Sequence, residues 1–251
     1  MRGVLKLETA FGSTHAHYSL EVLGFFRVGT DHCESLQTPR TCLFPFLSRR
    51  GKQQSVAGAA RRNWEEVCSG AQLGSQEGKT RVGGKGERTK LHIFGKWHNI
   101  PRKHVTYGDA SLTYTYSGVT FSPKPWIPVL DHIRDQIRLT TGHTFSFVLI
   151  NRYKDGHDHL GEHRDDEREL APRSPIASVS FGACRDFVFR HKDSRGKSPS
   201  RHIEAIKLQL EHGSLLMMNF PTNRYWYHSL PIRKKILAPR INLTFRKVVA
   251  L

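Results

Sequence analysis

Short segments rich in β-branched and aromatic residues follow one another through the second half of the chain, each bounded by turn residues. Such segments are typical of β-strands, and many of them in succession favour a sandwich or barrel. One helix is expected between Pro125 and Thr140, since its apolar residues recur at offsets of three and four and Gly142 follows its end. We therefore predict a mainly β fold with supporting helices, of the jelly-roll type. The predicted strands are Ser111–Tyr116, Phe145–Arg152, Ile176–Phe181, Phe187–His191, Ile203–Leu210, Ser214–Met218 and Ile241–Val248.

The first 90 residues have a different composition. Between residues 69 and 90, glycines alternate with scattered Lys and Arg, and long apolar runs are lacking. A segment of this kind buries too little apolar surface to offset the entropy that is lost on ordering. We expect a poorly structured or atypical region over residues 1–90 and one folded domain over residues 91–251.

The net charge of +17 favours a polyanionic partner, of which nucleic acid is the commonest. A solubilising surface or a basic tail is the alternative explanation. The four cysteines lack the spacing of a zinc site, which fits a reducing compartment, either cytosol or nucleus. Neither a secretory signal nor an apolar run of membrane-spanning length is visible, so we expect no membrane partner.

Two His-x-Asp tripeptides occur, one at His163–Asp165 and one at His191–Asp193. Two histidines and one carboxylate on one face can bind a redox iron and leave coordination positions free for oxygen and a co-substrate. The first tripeptide follows a strand and a turn, whereas the second runs into a basic loop, so we favour the first. His228, in an aromatic segment, is the candidate for the distant histidine. The competing histidines are His157, His159, His202 and His212.

The last predicted strand alternates polar and apolar residues, so its polar side chains share one face. Two guanidiniums that point into a barrel need an anion, and guanidinium matches carboxylate bidentately. Asn151 and Tyr153 share a face of an earlier strand and could add donors for the same anion. The alternative is an edge strand with a solvated basic face. The polar face consists of Arg240, Asn242, Thr244 and Arg246.

Together these motifs resemble the AlkB family of oxidative nucleic-acid demethylases. Asn-x-Tyr, His-x-Asp, a distant His and Arg-x-Asn-x-Thr-x-Arg occur in family order, and the resemblance covers about residues 93–249. It implies a double-stranded β-helix, Fe(II), 2-oxoglutarate as co-substrate and O2. By position, the implied iron ligands and catalytic residues are His163, Asp165 and His228. The implied 2-oxoglutarate contacts are Asn151, Tyr153, Arg240, Thr244 and Arg246.

The substrate end is expected to receive a base that has left its stack. Ile93, Phe94, Gly95 and Lys96 could form a wedge that enters a duplex, as the resemblance implies, although Ile-Phe-Gly also suits the end of a buried strand. The segment Tyr114–Tyr116 alternates, so both tyrosines face one side and could stack on bases. Further candidate substrate contacts are Arg102, Thr115, Asp166, Glu167, Arg190, Gly196, Lys197, Arg233, Lys234 and Lys235.

The implied function is DNA repair in the nucleus. An enzyme of this kind oxidatively demethylates 1-methyladenine and 3-methylcytosine in duplex DNA, releasing formaldehyde, succinate and CO2. The alternatives are an RNA demethylase and a catalytically impaired basic nucleic-acid-binding protein. The first 90 residues do not resemble the family's upstream region. The family's association with the sliding clamp is therefore not supported by this N-terminal region.

Overall fold

The computed structural model describes residues 26–28, 40–45, 90–93, 96–99, 102–116, 119–196 and 198–250. The two helices in these ranges are α1 (Pro128–Thr141) and α2 (Thr222–Tyr225). The strands are β1 (Phe26–Val28), β2 (Thr41–Pro45), β3 (Lys90–Ile93), β4 (Lys96–Asn99), β5 (Lys103–Gly108), β6 (Tyr114–Tyr116), β7 (Val119–Phe121), β8 (Phe147–Tyr153), β9 (Leu160–His163), β10 (Ile176–Gly182), β11 (Arg185–His191), β12 (Ile206–Leu210), β13 (Ser214–Met218), β14 (Trp226–Leu230) and β15 (Arg240–Arg246).

Two antiparallel sheets form the body of the fold. The larger sheet has the strand order β1-β2-β13-β10-β15-β8-β5, and the smaller has the order β12-β11-β14-β9. Strands β3 and β4 form one separate hairpin, and β6 and β7 form another. Two facing sheets with crossed connections are the architecture of a jelly roll, so the predicted fold class is confirmed.

The larger sheet buries a different set of side chains on each face. On one face, Ile241, Leu243 and Phe245 of β15 pack into the main apolar core, together with Leu130 and Ile133 of α1. The other face turns toward the smaller sheet, where a second apolar cluster joins residues of both sheets. This second cluster includes Tyr153, Leu216, Phe187, Phe189 and Trp226. The polar residues of β15 therefore lie between the two sheets.

Helix α1 begins three residues later than predicted. Ile127 has extended dihedral angles (φ −111°, ψ 152°), as expected for a residue that precedes proline, and Pro128 begins the helix. Its end is as predicted, because Gly142 adopts a left-handed conformation (φ 74°) and donates its N–H to the carbonyl of Arg138. No helix in the described ranges is long and apolar enough to span a bilayer.

Each predicted strand overlaps an observed one, although the strand predicted over Ile203–Leu210 begins only at Ile206. Several observed strands were not predicted, among them β5, β9 and β14. Strand β2 was not predicted either, and it pairs with β13 through Thr41↔Met218 and Pro45↔Ser214. The larger sheet thus includes residues from before position 90. The division of the chain after residue 90 stays a prediction.

Candidate metal and co-substrate site

Strands β9 and β14 bring the two candidate histidines together. They pair with His163 directly opposite His228, and Asp165 follows two residues after β9 ends. The Nε2 atoms of His163 and His228 lie 3.4 Å and 3.7 Å from Oδ1 of Asp165. One ligand atom from each residue lies within 4.8 Å of the others, and no other such group occurs among the residues that the structure describes.

The chemistry of these three side chains fits a divalent metal ion. The Asp165 side chain is 1% exposed, and its Oδ1 has no hydrogen-bond partner in the described part of the chain. Burial alone would raise the pKa of Asp165, but the Arg246 guanidinium and the two imidazoles hold it well below its usual range. A buried, ionised oxygen without a partner, beside two imidazoles, is a typical donor set for iron.

The two imidazoles are in suitable forms to act as ligands. Nδ1 of His163 lies 2.9 Å from the carbonyl of Gly161, so this nitrogen donates its proton and Nε2 keeps a lone pair. Burial, followed by the neighbouring imidazole of His163, lowers the pKa of His228 to about 3. His228 can therefore present a neutral ring to a metal near pH 7, and His163 can present Nε2.

The competing histidines lie elsewhere and have other contacts. The buried ring of His191 packs edge-on against Trp226. Nδ1 of His157 is hydrogen-bonded to the carboxylate of Asp155, and Nδ1 of His159 is hydrogen-bonded to the carbonyl oxygen of His157. His202 is exposed, and His212 accepts the N–H of Gly182.

A cavity beside Asp165 is lined by the polar face of β15. Asn242 donates to Ser178 Oγ at 2.8 Å and to the carbonyl of Val179 at 3.0 Å. Thr244 donates to Oδ1 of Asn242 at 3.2 Å, which extends the row of hydrogen bonds toward Arg246. The full lining is Arg102, Leu149, Asn151, Leu160, His163, Asp165, Ser178, Phe187, Met218, His228, Asn242, Thr244 and Arg246.

Arg240 stands at the other end of the same polar row. It pairs with Tyr153 across the β15–β8 ladder, and its guanidinium lies 5.3 Å from the Tyr153 ring. Nη2 donates to Ser180 Oγ at 2.9 Å, whereas Nε and Nη1 are buried without a partner in the described part of the chain. Burial lowers the pKa of Arg240 to about 10. Two unsatisfied guanidinium donors suit an anion, although Arg240 and Tyr153 lie outside the lining of the cavity.

The residues predicted to contact the base differ in where they lie in the structure. Tyr114 is completely buried and packs against Phe147 with ring centroids 4.6 Å apart, because β8 and Val248 cover this side of the β6–β7 hairpin. A contact between Tyr114 and a base stays a prediction. Strands β3, β4 and β6 contain the backbones of Ile93, Lys96 and Tyr116. Phe94, Gly95 and Lys197 lie outside the described residues.

Two further carboxylates follow Asp165 and line a cavity of about 330 Å³ with it. Asp166 is exposed, and the guanidinium of Arg164 contacts it at 3.2 Å. Glu167 is half-buried, and burial, followed by the charge of Asp165, raises its pKa to about 6. Both side chains are thus next to the candidate metal ligands, as the sequence suggested.

The basic candidates differ in whether they face solvent. Lys234 and Lys235 are exposed, and Gly196 has a positive φ of 85° in the loop after β11. Arg190 donates to Glu162 at 3.0 Å. Arg233 is partly exposed and pairs with Asp186. Arg102 donates to Asn151 and lines the cavity beside Asp165.

Several residues that support the site were not identified from the sequence. Arg185 is buried and donates to the carbonyls of Asp155, Asp158 and Pro231, which ties the loop before β9 in place. Glu169 accepts the backbone N–H of Thr115 at 3.0 Å. Arg185 could have been identified because it is a charged residue next to an apolar strand segment. Nothing in the sequence around Glu169 indicates its role.

The profile of the 2OG-Fe(II) oxygenase superfamily matches residues 55–246. The DNA oxidative demethylase ALKBH2 of Homo sapiens is 74% identical over 164 residues, which are 65% of this chain and 63% of that protein. The protein of the same name from Bos taurus is 73% identical over 164 residues, which are 65% of this chain and 59% of that protein. Alpha-ketoglutarate-dependent dioxygenase alkB homolog 3 of Homo sapiens is 41% identical over 150 residues, covering 59% of this chain and 52% of that protein.

The superfamily match covers the candidate site and strands β3 to β15. The match to the two demethylases spans 59–63% of their own length. The superfamily profile extends from residue 55, ahead of β3, to Arg246 at the end of β15, and so includes the His163, Asp165 and His228 group. The chain therefore belongs to the 2OG-Fe(II) oxygenase superfamily and, within it, to the AlkB family.

Proposed function

We propose that this chain is a DNA oxidative demethylase that removes methyl groups from 1-methyladenine and 3-methylcytosine in duplex DNA, and that it acts in the nucleus. The observation that carries the proposal is the convergence of His163 and His228 on the buried Oδ1 of Asp165. The similarity to two proteins named DNA oxidative demethylase supports the choice of DNA as substrate. The net charge of +17 supports binding to a polyanion.

In this proposal His163, Asp165 and His228 hold Fe(II), and membership of the superfamily implies 2-oxoglutarate and O2 as well. Together these would supply oxidation of the methyl C–H bond to C–OH, coupled to conversion of 2-oxoglutarate to succinate and CO2. The hydroxymethyl group then leaves the ring nitrogen as formaldehyde. The protein's part is to bind, to orient and to exclude water.

The polar face of β15 is proposed to bind the co-substrate. Arg240 has two buried guanidinium N–H groups that find no acceptor among the described residues, and they could donate to a carboxylate as a bidentate pair. At the other end of the row, Arg246 lies beside Asp165 and would contact the end of the co-substrate nearest the metal. Asn151, Tyr153 and Thr244 lie on the same inward side and complete the proposed contacts.

The carboxylates of Asp166 and Glu167 are proposed to face the methylated base. Methylation at N1 of adenine or N3 of cytosine leaves the ring cationic, so a neighbouring carboxylate stabilises it more than the unmodified base. Tyr116 is proposed to stack on the base, and the segment Ile93, Phe94, Gly95 and Lys96 is proposed to enter the duplex. The exposed Lys234 and Lys235, with Arg190, Gly196 and Lys197, would contact phosphates.

The proposal is tested with the full recombinant chain, Fe(II), 2-oxoglutarate and a duplex that carries one 1-methyladenine. We expect formaldehyde and succinate in equal amounts, dependent on the lesion. Asp165→Asn should abolish both, whereas Asp193→Asn, in the competing His-x-Asp tripeptide, should leave them unchanged. Absence of turnover by the wild-type protein with metal bound would reject the proposal. Faster turnover of a methylated RNA of the same sequence would instead favour an RNA demethylase.

A further inference from the structure

The side chain of Arg102 points into the proposed co-substrate cavity. Arg102 immediately precedes β5, and His104 of β5 lies directly opposite Asn151 of β8. Residues two apart on a strand share a face, so Arg102, His104 and Asn151 are on the same side of the sheet. The structure agrees with this, because Arg102 and Asn151 both line the cavity beside Asp165.

A hydrogen bond from Arg102 sets the orientation of the Asn151 amide. Nε of Arg102 donates to Oδ1 of Asn151 at 2.8 Å, and Nη1 lies 3.5 Å from the carbonyl of His159. A guanidinium can only donate, so the group that meets it must be the amide oxygen. The amide nitrogen of Asn151 is then the group that remains for a ligand in the cavity. Asn151 is 4% exposed, so bulk water does not replace the arginine as its partner.

This orientation decides whether Asn151 attracts or repels an anion. With Nδ2 facing the cavity, the amide presents N–H donors to a carboxylate. After a half-turn about its last side-chain bond, it would present the oxygen instead and repel the carboxylate. The two orientations are close to equivalent in shape, so a neighbouring donor is needed to select one.

We propose that Arg102 is a positioning residue for the co-substrate: it holds Asn151 with its amide nitrogen toward a dicarboxylate in the cavity. This inference rests on the proposed function and revises the expectation that Arg102 contacts DNA phosphate. The two roles make opposite predictions about which ligand is lost when the arginine is changed.

The test measures binding of 2-oxoglutarate to the full chain loaded with Mn(II), by titration calorimetry, so no turnover is needed. Arg102→Met should weaken 2-oxoglutarate binding about tenfold, as for one lost hydrogen bond with charged partners. Lys103→Met, the matched control, removes an exposed cation from the next position and should leave the affinity unchanged. In an Asn151→Ala background, Arg102→Met should have less than about a twofold effect, because the two residues act as a unit.

Affinity for an unmodified duplex, measured by fluorescence anisotropy at two salt concentrations, tests the alternative that Arg102 contacts a DNA phosphate. If Arg102 contacts phosphate, Arg102→Met will lower DNA affinity and its salt dependence while 2-oxoglutarate affinity stays within twofold of wild type, and this outcome overturns the inference. Additive effects of Arg102→Met and Asn151→Ala would also overturn it. Should Arg102→Met fail to fold, Arg102→Lys keeps the charge but not the position of Nε, and it should still weaken 2-oxoglutarate binding.

The proposed function and this inference fail in different ways. A wild-type protein that binds 2-oxoglutarate but releases no formaldehyde from methylated DNA would reject the proposed function alone. An Arg102→Met protein with wild-type 2-oxoglutarate affinity would reject the inference alone, whatever the turnover of the wild type.

Discussion

Arg246 donates from Nη2 to Oδ2 of Asp165 at 2.9 Å, and both side chains are almost completely buried. This contact occupies one oxygen of the carboxylate and leaves the other, Oδ1, toward the imidazoles of His163 and His228. A single buried carboxylate therefore joins the last strand of the larger sheet to the histidine pair of the smaller sheet. The ion pair holds the carboxylate in its ionised, metal-binding form.

Arg246→Met should strongly destabilise the protein without metal. The change leaves Asp165 charged and buried without its partner, which costs about 3–5 kcal/mol of the free energy of unfolding. The double variant Asp165→Asn with Arg246→Met should recover part of this loss, because both charges are then removed. Urea unfolding measures the free energy of unfolding of the metal-free wild type, of the single variant and of the double variant. Equal stabilities of the single and double variants would show that the ion pair has no such role.

Arg240→Met should have opposite effects on stability and on co-substrate binding. Two buried guanidinium nitrogens have no acceptor in the part of the chain that the structure describes, so an apolar side chain should raise the free energy of unfolding by roughly 1–2 kcal/mol. The same change removes the proposed anchor for the distal carboxylate. Thermal denaturation with and without 2-oxoglutarate should show a higher Tm for the variant alone and no further rise on adding the ligand. A ligand-induced rise equal to that of the wild type would contradict the assigned role.

Strand β15 shows how much of the site could be predicted. Its polar and apolar residues alternate strictly, so period 2 alone separates Arg240 and Arg246 from the core residues Ile241 and Phe245. The helix was predictable for a similar reason, since its apolar spacing and Gly142 are local features of the sequence. The local pattern thus located the co-substrate face and the helix that supports it.

Strand β9 could not be predicted, although it contains His163. It has only the residues Leu-Gly-Glu-His, which lack the β-branched pattern of a strand, and it exists because β14 pairs with it. The contact of Arg102 with Asn151 depends on the pairing of β5 with β8, which joins residues 49 positions apart. The burial of Tyr114 depends on Phe147 and Val248. Each of these features follows from long-range pairing, which the local sequence does not encode.

His104 should make the protein less stable in mild acid. Burial, followed by the charge of Arg102, lowers the pKa of His104 from 6.5 to about 4. Between these two pH values the unfolded chain binds a proton that the folded protein does not. Stability is therefore full above pH 6.5 and falls toward pH 4 by up to about 1.4 kcal/mol per pH unit from this residue. His104→Gln should make the curve of unfolding free energy against pH shallower in this window, whereas a curve parallel to the wild type would contradict the assignment.

Glu169 should matter for the binding of methylated DNA through the β6–β7 hairpin. It is 7% exposed, and its Oε1 accepts the N–H of Thr115, next to Tyr116. Glu169→Ala removes this acceptor at a cost of about 1 kcal/mol, so KM for a methylated duplex should rise roughly fivefold, with a smaller change in kcat. Glu169→Gln keeps an oxygen acceptor and should restore KM. Similar KM values for the Ala and Gln variants would show that the hydrogen bond does not position the hairpin.

Gly156 lies in the loop that leads into β9, and its substitution by a residue with a side chain should destabilise the protein. Its N–H donates to the carbonyl of Ile236 at 2.7 Å, and its carbonyl accepts the N–H of Arg233 at 2.8 Å. These two hydrogen bonds hold the backbones of the two segments against each other. A Cβ built at position 156 would lie 1.8 Å from the carbonyl oxygen of Arg233, a backbone atom that no side-chain rotation can move away.

Gly156→Ala must therefore separate the two segments and break both hydrogen bonds. We expect a loss of about 2–4 kcal/mol in the free energy of unfolding. Weaker Mn(II) binding should accompany it, because the displaced loop begins four residues before Leu160 and carries the strand that ends at His163. Gly161→Ala, within β9 itself, is the matched control, since a Cβ there meets nothing within 4 Å. Urea unfolding and Mn(II) titration of both variants measure the effects. If Gly161→Ala weakens Mn(II) binding as much as Gly156→Ala does, the close backbone contact at Gly156 is not what positions His163.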